Sequence, residues 1–251
     1  LIEVQSIYKS YGALPVLEGI STRFSPGTIS TILGSNGAGK STLLNIMGRL
    51  LSLDRGSILL KGQDISQVSA KELARTMAIL KQNTQVQARL TVRELVEFGR
   101  FPHSQGRITP RDSHAIDHAL EFTALEDIQG RLIQELSGGQ RQRAFIAMVI
   151  AQESPLILLD EPLNSLDLRH GVQILELLQR LRDEQGKTII MVLHDLNLAL
   201  HFSDHILALS QGTISFEGHP EDFARNDRLQ PVFGLEFDFL PYKRRTLCLH
   251  Y

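Results

Sequence analysis

Three groups of side chains in this 251-residue chain have types and spacings suited to phosphate chemistry. The first is Gly34-Ser35-Asn36-Gly37-Ala38-Gly39-Lys40-Ser41-Thr42, a full match to G-x-x-x-x-G-K-[ST]. Glycines let a backbone turn tightly enough to aim successive N–H groups at phosphate oxygens, and a helix that starts just after them adds its positive end. Lys40 supplies a mobile ammonium for the terminal phosphates, and Ser41 a hydroxyl suited to Mg²⁺. The second group is Asp160-Glu161, directly after the apolar run Leu156–Leu159, where one carboxylate can hold a metal and the other can act on water. The third is Leu136-Ser137-Gly138-Gly139-Gln140 ahead of Ala144, Ala147, Met148 and Ala151, another cap rich in free N–H groups. One triphosphate loop and two phosphate-contacting devices fit a head-to-tail pair of chains, each closing over the other's nucleotide.

Elements with matching periodicity surround these groups. Ile29–Leu33 reads as a strand into the glycine loop, and Leu43, Leu44, Met47 and Leu51 share one face of the helix expected after it. Ile2–Ile7 and Val16–Phe24 read as earlier strands, with Pro26-Gly27 as a turn; Gly56–Gly62 reads as a hairpin strand and Met77–Leu80 as another strand. Capping boxes at Ser69–Glu72 and Thr91–Glu94 start helices, and Thr109-Pro110 starts a third. After Pro155 come the strand Leu156–Leu159, a helix over Gly171–Glu184 ended by Gly186, and the strand Thr188–Leu193. Uninterrupted apolar strands alternating with helices predict an α/β fold with a mostly parallel sheet, preceded by an antiparallel β part. A catalytic core over 1–85 and 155–251 is expected, with 86–154 as an inserted helical subdomain.

Bulk properties bound the function. Net charge is −2 with 22% charged residues, so no basic field argues for nucleic acid. A single cysteine, Cys248, excludes an internal disulfide and a cysteine-rich metal centre. The longest apolar runs, such as Ile146–Ala151 and Ile189–Leu193, are core-sized rather than membrane-sized, and the first residues lack a signal-peptide pattern. The expectation is a soluble cytoplasmic protein that meets a membrane only through partners. His114 and His118, and likewise His201 and His205, read as helix-surface residues rather than metal ligands.

The order and spacing of the glycine loop, Leu136–Gln140 and Leu156-Ile-Leu-Leu-Asp-Glu-Pro162 resemble the nucleotide-binding subunit of ABC transporters over nearly the whole chain. The resemblance implies a P-loop ATPase of ABC type that uses ATP and Mg²⁺ and works as a homodimer. It implies that Gly34, Ser35, Asn36, Gly37, Ala38, Gly39, Lys40, Ser41 and Thr42 hold the phosphates, with Ser137, Gly138, Gly139 and Gln140 closing from the second copy. Tyr11 would stack on adenine, Ser41, Gln82 and Asp160 would hold the metal, and Glu161, His194, Lys40 and Gln82 would serve hydrolysis. Asn164–Asp167 resembles the segment at the dimer contact.

Within the family, His194-Asp-Leu-Asn-Leu-Ala199, Gly218-His-Pro-Glu221, Glu161–Gln173 and the ending Leu247–Tyr251 resemble importers for iron–siderophore, haem and vitamin B12, catecholate siderophores in particular. The partners so implied are two polytopic membrane permeases and a substrate-binding protein, at the cytoplasmic face of a bacterial inner membrane. Exporter and non-transport ABC ATPases are the alternatives. A long coiled coil, zinc modules or a second phosphate loop, common in the non-transport class, are not in the sequence.

Overall fold

A computed structural model of the chain describes residues 1–82, 88–223, 233, 237–242 and 245–250. They form two compact units, Leu1–Val68 with Arg182–Tyr251, and Ser69–Leu181. The expected core–helical boundary at 85/86 lies outside the described residues, as does Tyr251.

The first unit opens with β1 (Ile2–Tyr11) and β2 (Leu14–Phe24), an antiparallel pair. Ile2, Val4 and Ile7 point inward from β1, and Leu17, Ile20 and Phe24 meet them from β2. β1 continues past Ile7, where the sequence predicts its end. Ser6 takes a left-handed φ of 48°, and the register with β2 shifts between Val4 and Ile7. That bulge breaks the period-two pattern on which the expectation rested. β3 (Ile29–Gly34) is buried at all six positions, and Ile29, Ile32 and Leu33 each contribute about 2 kcal/mol of apolar burial.

α1 (Lys40–Met47) follows the glycine loop. Contrary to expectation Leu51 is not on this helix, because Gly48 closes it, its N–H bonding back to Leu44 and Ile46 carbonyls. β4 (Arg55–Leu60) and β5 (Gln63–Asp64) complete an antiparallel sheet in the order β2-β1-β4-β5.

The second unit starts with α2 (Ala70–Thr76), whose cap Ser69 accepts from Glu72 N at 3.2 Å, and β6 (Met77–Leu80). α3 (Val92–Phe98) begins at the full Thr91–Glu94 capping box, α4 (Phe101–Ser104) follows, and α5 (Pro110–Phe122) begins at Thr109 with Pro110 in its first turn. α6 (Gly138–Ala151) and β7 (Leu156–Asp160) come next, β7 parallel to β6 with Leu80 opposite Leu159. The Arg100 side chain, 1% exposed, joins the ends of these helices. Its Nε donates to Asp112 Oδ1 at 2.9 Å, and its Nη1 donates to the Ala151 carbonyl and to Glu153. The helices of 86–154 thus belong to a unit that also holds β6, β7 and most of α7 (Leu168–Gln185).

The end of α7, from Arg182, returns to the first unit. There β8 (Thr188–Val192), α8 (Leu196–Phe202), β9 (His205–Ser210), β10 (Thr213–Gly218) and α9 (Pro220–Phe223) follow, then the hairpin β11 (Phe237–Tyr242) and β12 (Arg245–His250). β3 runs parallel to both β8 and β9, and β10 turns back antiparallel on β9. Asp204 anchors the start of β3, accepting from Ile29 N at 2.8 Å while Arg182 grips its carboxylate. The pairs β3–β8, β3–β9 and β6–β7 are parallel and β9–β10 is antiparallel, the mixed α/β arrangement the sequence predicts.

Candidate functional site

In the first unit, β3 leads straight into the glycine loop. Gly34 has φ +144°, and a Cβ there would sit 2.3 Å from the Leu209 carbonyl oxygen on β9. Gly39, at φ +98°, lies against β2, where a Cβ would meet Leu17 Cδ2 at 2.6 Å and the Val16 carbonyl at 2.8 Å. Strand packing on both sides therefore sets the curvature of the loop. Ser35, Asn36 and Gly37 are exposed at its mouth, while Ala38, Gly39 and Lys40 are buried. The Lys40 ammonium curls back over the loop, donating to the Gly34 and Ser35 carbonyls at 2.9 Å each. Gly39 is the N-cap of α1 and makes no side-chain cap bond, so the helix N-terminus with its positive dipole end opens directly from the glycine loop. Ser41 and Thr42, half-buried, are the next residues of that helix.

Tyr11 ends β1 with its ring 51% exposed, and the Lys9 ammonium stands 5.9 Å from the ring centroid. Lys9 is held by Asp54 at 2.8 Å, and this bond is the main cause holding the Asp54 carboxyl below its ordinary range. His194 is exposed just beyond β8, followed by Asp195, which caps α8 by accepting from Leu198 N at 2.9 Å.

In the second unit, the pairing of β6 with β7 brings two predicted residues together. Asp160 ends β7 and is 6% exposed; Glu161 follows with a left-handed φ of 51°. Gln82, two residues beyond β6, donates from Nε2 to Glu161 Oε2 at 2.5 Å. A carboxylate only accepts, so the amide nitrogen faces it and the amide oxygen stays available to a cation.

Ser137 caps α6 through a reciprocal box: its Oγ accepts from Gln140 N at 3.3 Å, and its N donates to Gln140 Oε1 at 3.1 Å. Gly138 is exposed and Gly139 buried. Asp167 precedes α7 and accepts from both the His170 backbone N and ring Nδ1, bonds that lower its carboxyl below the ordinary value. No group of three or more His, Cys, Asp or Glu that could hold a metal occurs among the described residues. His114 and His118 are exposed on α5 as expected, whereas His201 and His205 are only partly exposed and His205 opens strand β9 rather than lying on a helix face. Hydroxyl, amide and carboxylate oxygens, as offered by Ser41, Gln82 and Asp160, are the hard donors Mg²⁺ takes alongside phosphate.

The sequence reading gave no role to Val16, Leu17 and Leu209, which back the glycine loop, nor to His170. Contacts from distant strands leave no local pattern. The Asp-x-x-His spacing of Asp167 and His170, a helix-cap spacing, is the one signal that could have found that pair.

A family model described as ABC transporter matches residues 17–164. The chain is 51% identical over 235 residues to the petrobactin import ATP-binding protein YclP of Bacillus subtilis (strain 168), covering 94% of this chain and 93% of that protein. It is 43% identical over 245 residues to the iron(3+)-hydroxamate import ATP-binding protein FhuC of the same organism, covering 96% and 91%. Its fold is similar to a dimeric ATP-binding cassette solved in a post-hydrolysis state with ADP and Pi, at a TM-score of 0.77 and 28% identity over 88% of this chain and 99% of that one.

Proposed function

This chain belongs to the ABC transporter family as an ATP-hydrolysing subunit, and we propose that it powers bacterial uptake of an iron–siderophore complex through separate membrane permeases. The observation that carries the cargo reading is the likeness, along almost the whole chain, to import ATP-binding proteins named for petrobactin and for iron(3+)-hydroxamate. No helix among the described residues is long and apolar enough to cross a membrane, so passage of the cargo falls to other subunits. The chain works as a homodimer on the cytoplasmic face, bound to two permeases, with a substrate-binding protein delivering the cargo.

In this reading two copies meet head to tail, and each ATP lies between residues 34–42 of one and Ser137-Gly138-Gly139 of the other. Tyr11 stacks on the base. Loop N–H groups and the α1 N-terminus hold the phosphates, with Lys40 supplying positive charge. Ser41, Asp160 and the Gln82 amide oxygen would hold Mg²⁺, which neutralises charge on the phosphates when bound. Glu161 orients and polarises the attacking water, with Gln82 fixing its carboxylate, and His194 contacts the terminal phosphate. The helices of 86–154 carry the motion of closure to the permeases.

Uptake of labelled iron complexes by cells carrying the wild type or Glu161→Gln tests this reading. Loss confined to one siderophore complex is the expected result. Undiminished uptake of every siderophore, together with lost uptake of haem or vitamin B12, would overturn the cargo; no loss for any of them would overturn import itself.

A further inference from the structure

The two glycines of Ser137-Gly138-Gly139 are glycine for different reasons. Both lie in the first turn of α6, and neither has a left-handed φ. Helical backbone there would accept alanine, which a helix favours over glycine by about 1 kcal/mol. Gly138 is exposed, and a Cβ on it would meet only Leu166 Cδ2 and the Ser165 carbonyl, each at an ordinary 3.8 Å. Gly139 is buried, and a Cβ on it would lie 2.4 Å from His170 Cδ2, 2.7 Å from Cγ and 3.0 Å from Nε2. The imidazole occupies the volume that any side chain at 139 would need.

The ring cannot easily step aside. Asp167 holds Nδ1 at 2.8 Å and the His170 backbone N at 2.9 Å, fixing the side chain and the first turn of α7 together. Between Glu161 and this pair the chain makes two tight turns, Asn164 N to the Glu161 carbonyl and Leu166 N to the Leu163 carbonyl. A single short segment therefore carries Glu161 at one end and, at the other, a clamped ring seated on Gly139, with Ser165 and Leu166 over Gly138.

We infer that His170 is a positioning residue for ATP hydrolysis: its imidazole, clamped by Asp167 and seated on Gly139, sets where the Ser137-Gly138 turn stands relative to the segment that begins at Glu161. This inference rests on the proposed role of Ser137 and Gly138 in closing over a nucleotide. Gly138 keeps the bare, exposed backbone that a close ligand needs, while Gly139 is bare to receive the ring.

A double-mutant cycle of His170→Ala and Gly139→Ala tests it, read in steady-state ATPase kinetics and thermal unfolding of the full chain. His170→Ala is expected to lower kcat at least about threefold with KM for ATP changed less than about twofold, because the glycine loop of residues 34–42 is untouched. Gly139→Ala is expected to lower kcat further, and the double variant to regain at least about threefold over Gly139→Ala, since removing the ring makes room for the methyl. A double variant no more active than Gly139→Ala, or a loss in His170→Ala carried by KM, would overturn the inference. If Gly139→Ala does not fold, recovery of a cooperative unfolding transition in the double variant gives the same answer, and its failure to recover overturns the seat. Full turnover by Glu161→Gln would sink the hydrolytic reading while leaving the unfolding cycle intact, so the two failures are separable.

Discussion

Gln82 and Glu161 are joined side chain to side chain, Nε2 to Oε2 at 2.5 Å, by residues that leave neighbouring parallel strands at the same end. The bond helps to orient the carboxylate of a half-buried residue in the turn after β7. Gln82→Ala removes that bond while keeping Glu161 itself. Turnover is expected to fall about tenfold, with KM for ATP nearly unchanged, because orientation acts on the transition state rather than on nucleotide binding. Equal kcat in the variant would show that the bond does not serve the chemistry.

Lys40 makes the opposite case. Its ammonium is bound by two loop carbonyls and the residue is only 5% exposed, at the place where the proposed function puts phosphate charge. Removing a charge-assisted contact of this kind costs about 1.5–3 kcal/mol, so Lys40→Ala should weaken ATP binding roughly tenfold or more. Titration calorimetry with ATP checks it, and an unchanged affinity would remove Lys40 from the site.

The shape of the loop depends on strands that never touch a phosphate in this account. Gly34→Ala drives a methyl toward the Leu209 carbonyl, whereas Gly62→Ala, also at positive φ, meets open space. Both pay a backbone strain of about 1–3 kcal/mol, and only the first adds a clash of about 1 kcal/mol or more. Thermal unfolding should therefore fall further for Gly34→Ala than for Gly62→Ala. Equal losses would mean that β9 does not shape the loop.

Acid should loosen the helical unit through Asp112. Its hydrogen bonds to Thr109, aided by Arg100, lower the carboxyl pKa from 3.8 to about 2. A depressed folded-state pKa contributes stability that is fully present above the unfolded value and is lost as pH falls through the folded one. The contribution is thus lost between about pH 4 and about pH 2. Asp112→Asn should flatten that part of the stability-versus-pH curve in denaturant titrations. A curve as steep as the wild type's would place the acid sensitivity elsewhere.

Much of this architecture is legible in the sequence because its signals are local. Strand, glycine loop and helix follow one another around Lys40, and the boxes at Thr91 and Thr109 start α3 and α5 where their spacing says. Errors occur where a local rule is interrupted: the Ser6 bulge hides the second half of β1, and Gly48 stops α1 short of Leu51. α7 begins at Leu168 rather than Gly171 because Asp167, quoted in the sequence for family likeness and not as a cap, accepts from His170 N and caps the helix. The pairing of Gln82 with Glu161 and the seating of His170 on Gly139 were not legible at all. Each joins residues far apart in the chain, and only the parallel register of β6 with β7, or the approach of the first turn of α7 to that of α6, brings them together.

The central claim is that Glu161 turns a bound nucleotide into a hydrolysed one. Steady-state ATPase of wild type and Glu161→Gln, with ATP affinity and ATP-dependent dimerisation followed by size-exclusion chromatography in the same preparations, tests it most directly. The account predicts turnover reduced at least about a hundredfold, ATP affinity retained and dimers accumulating with ATP. Turnover at the wild-type rate would contradict it.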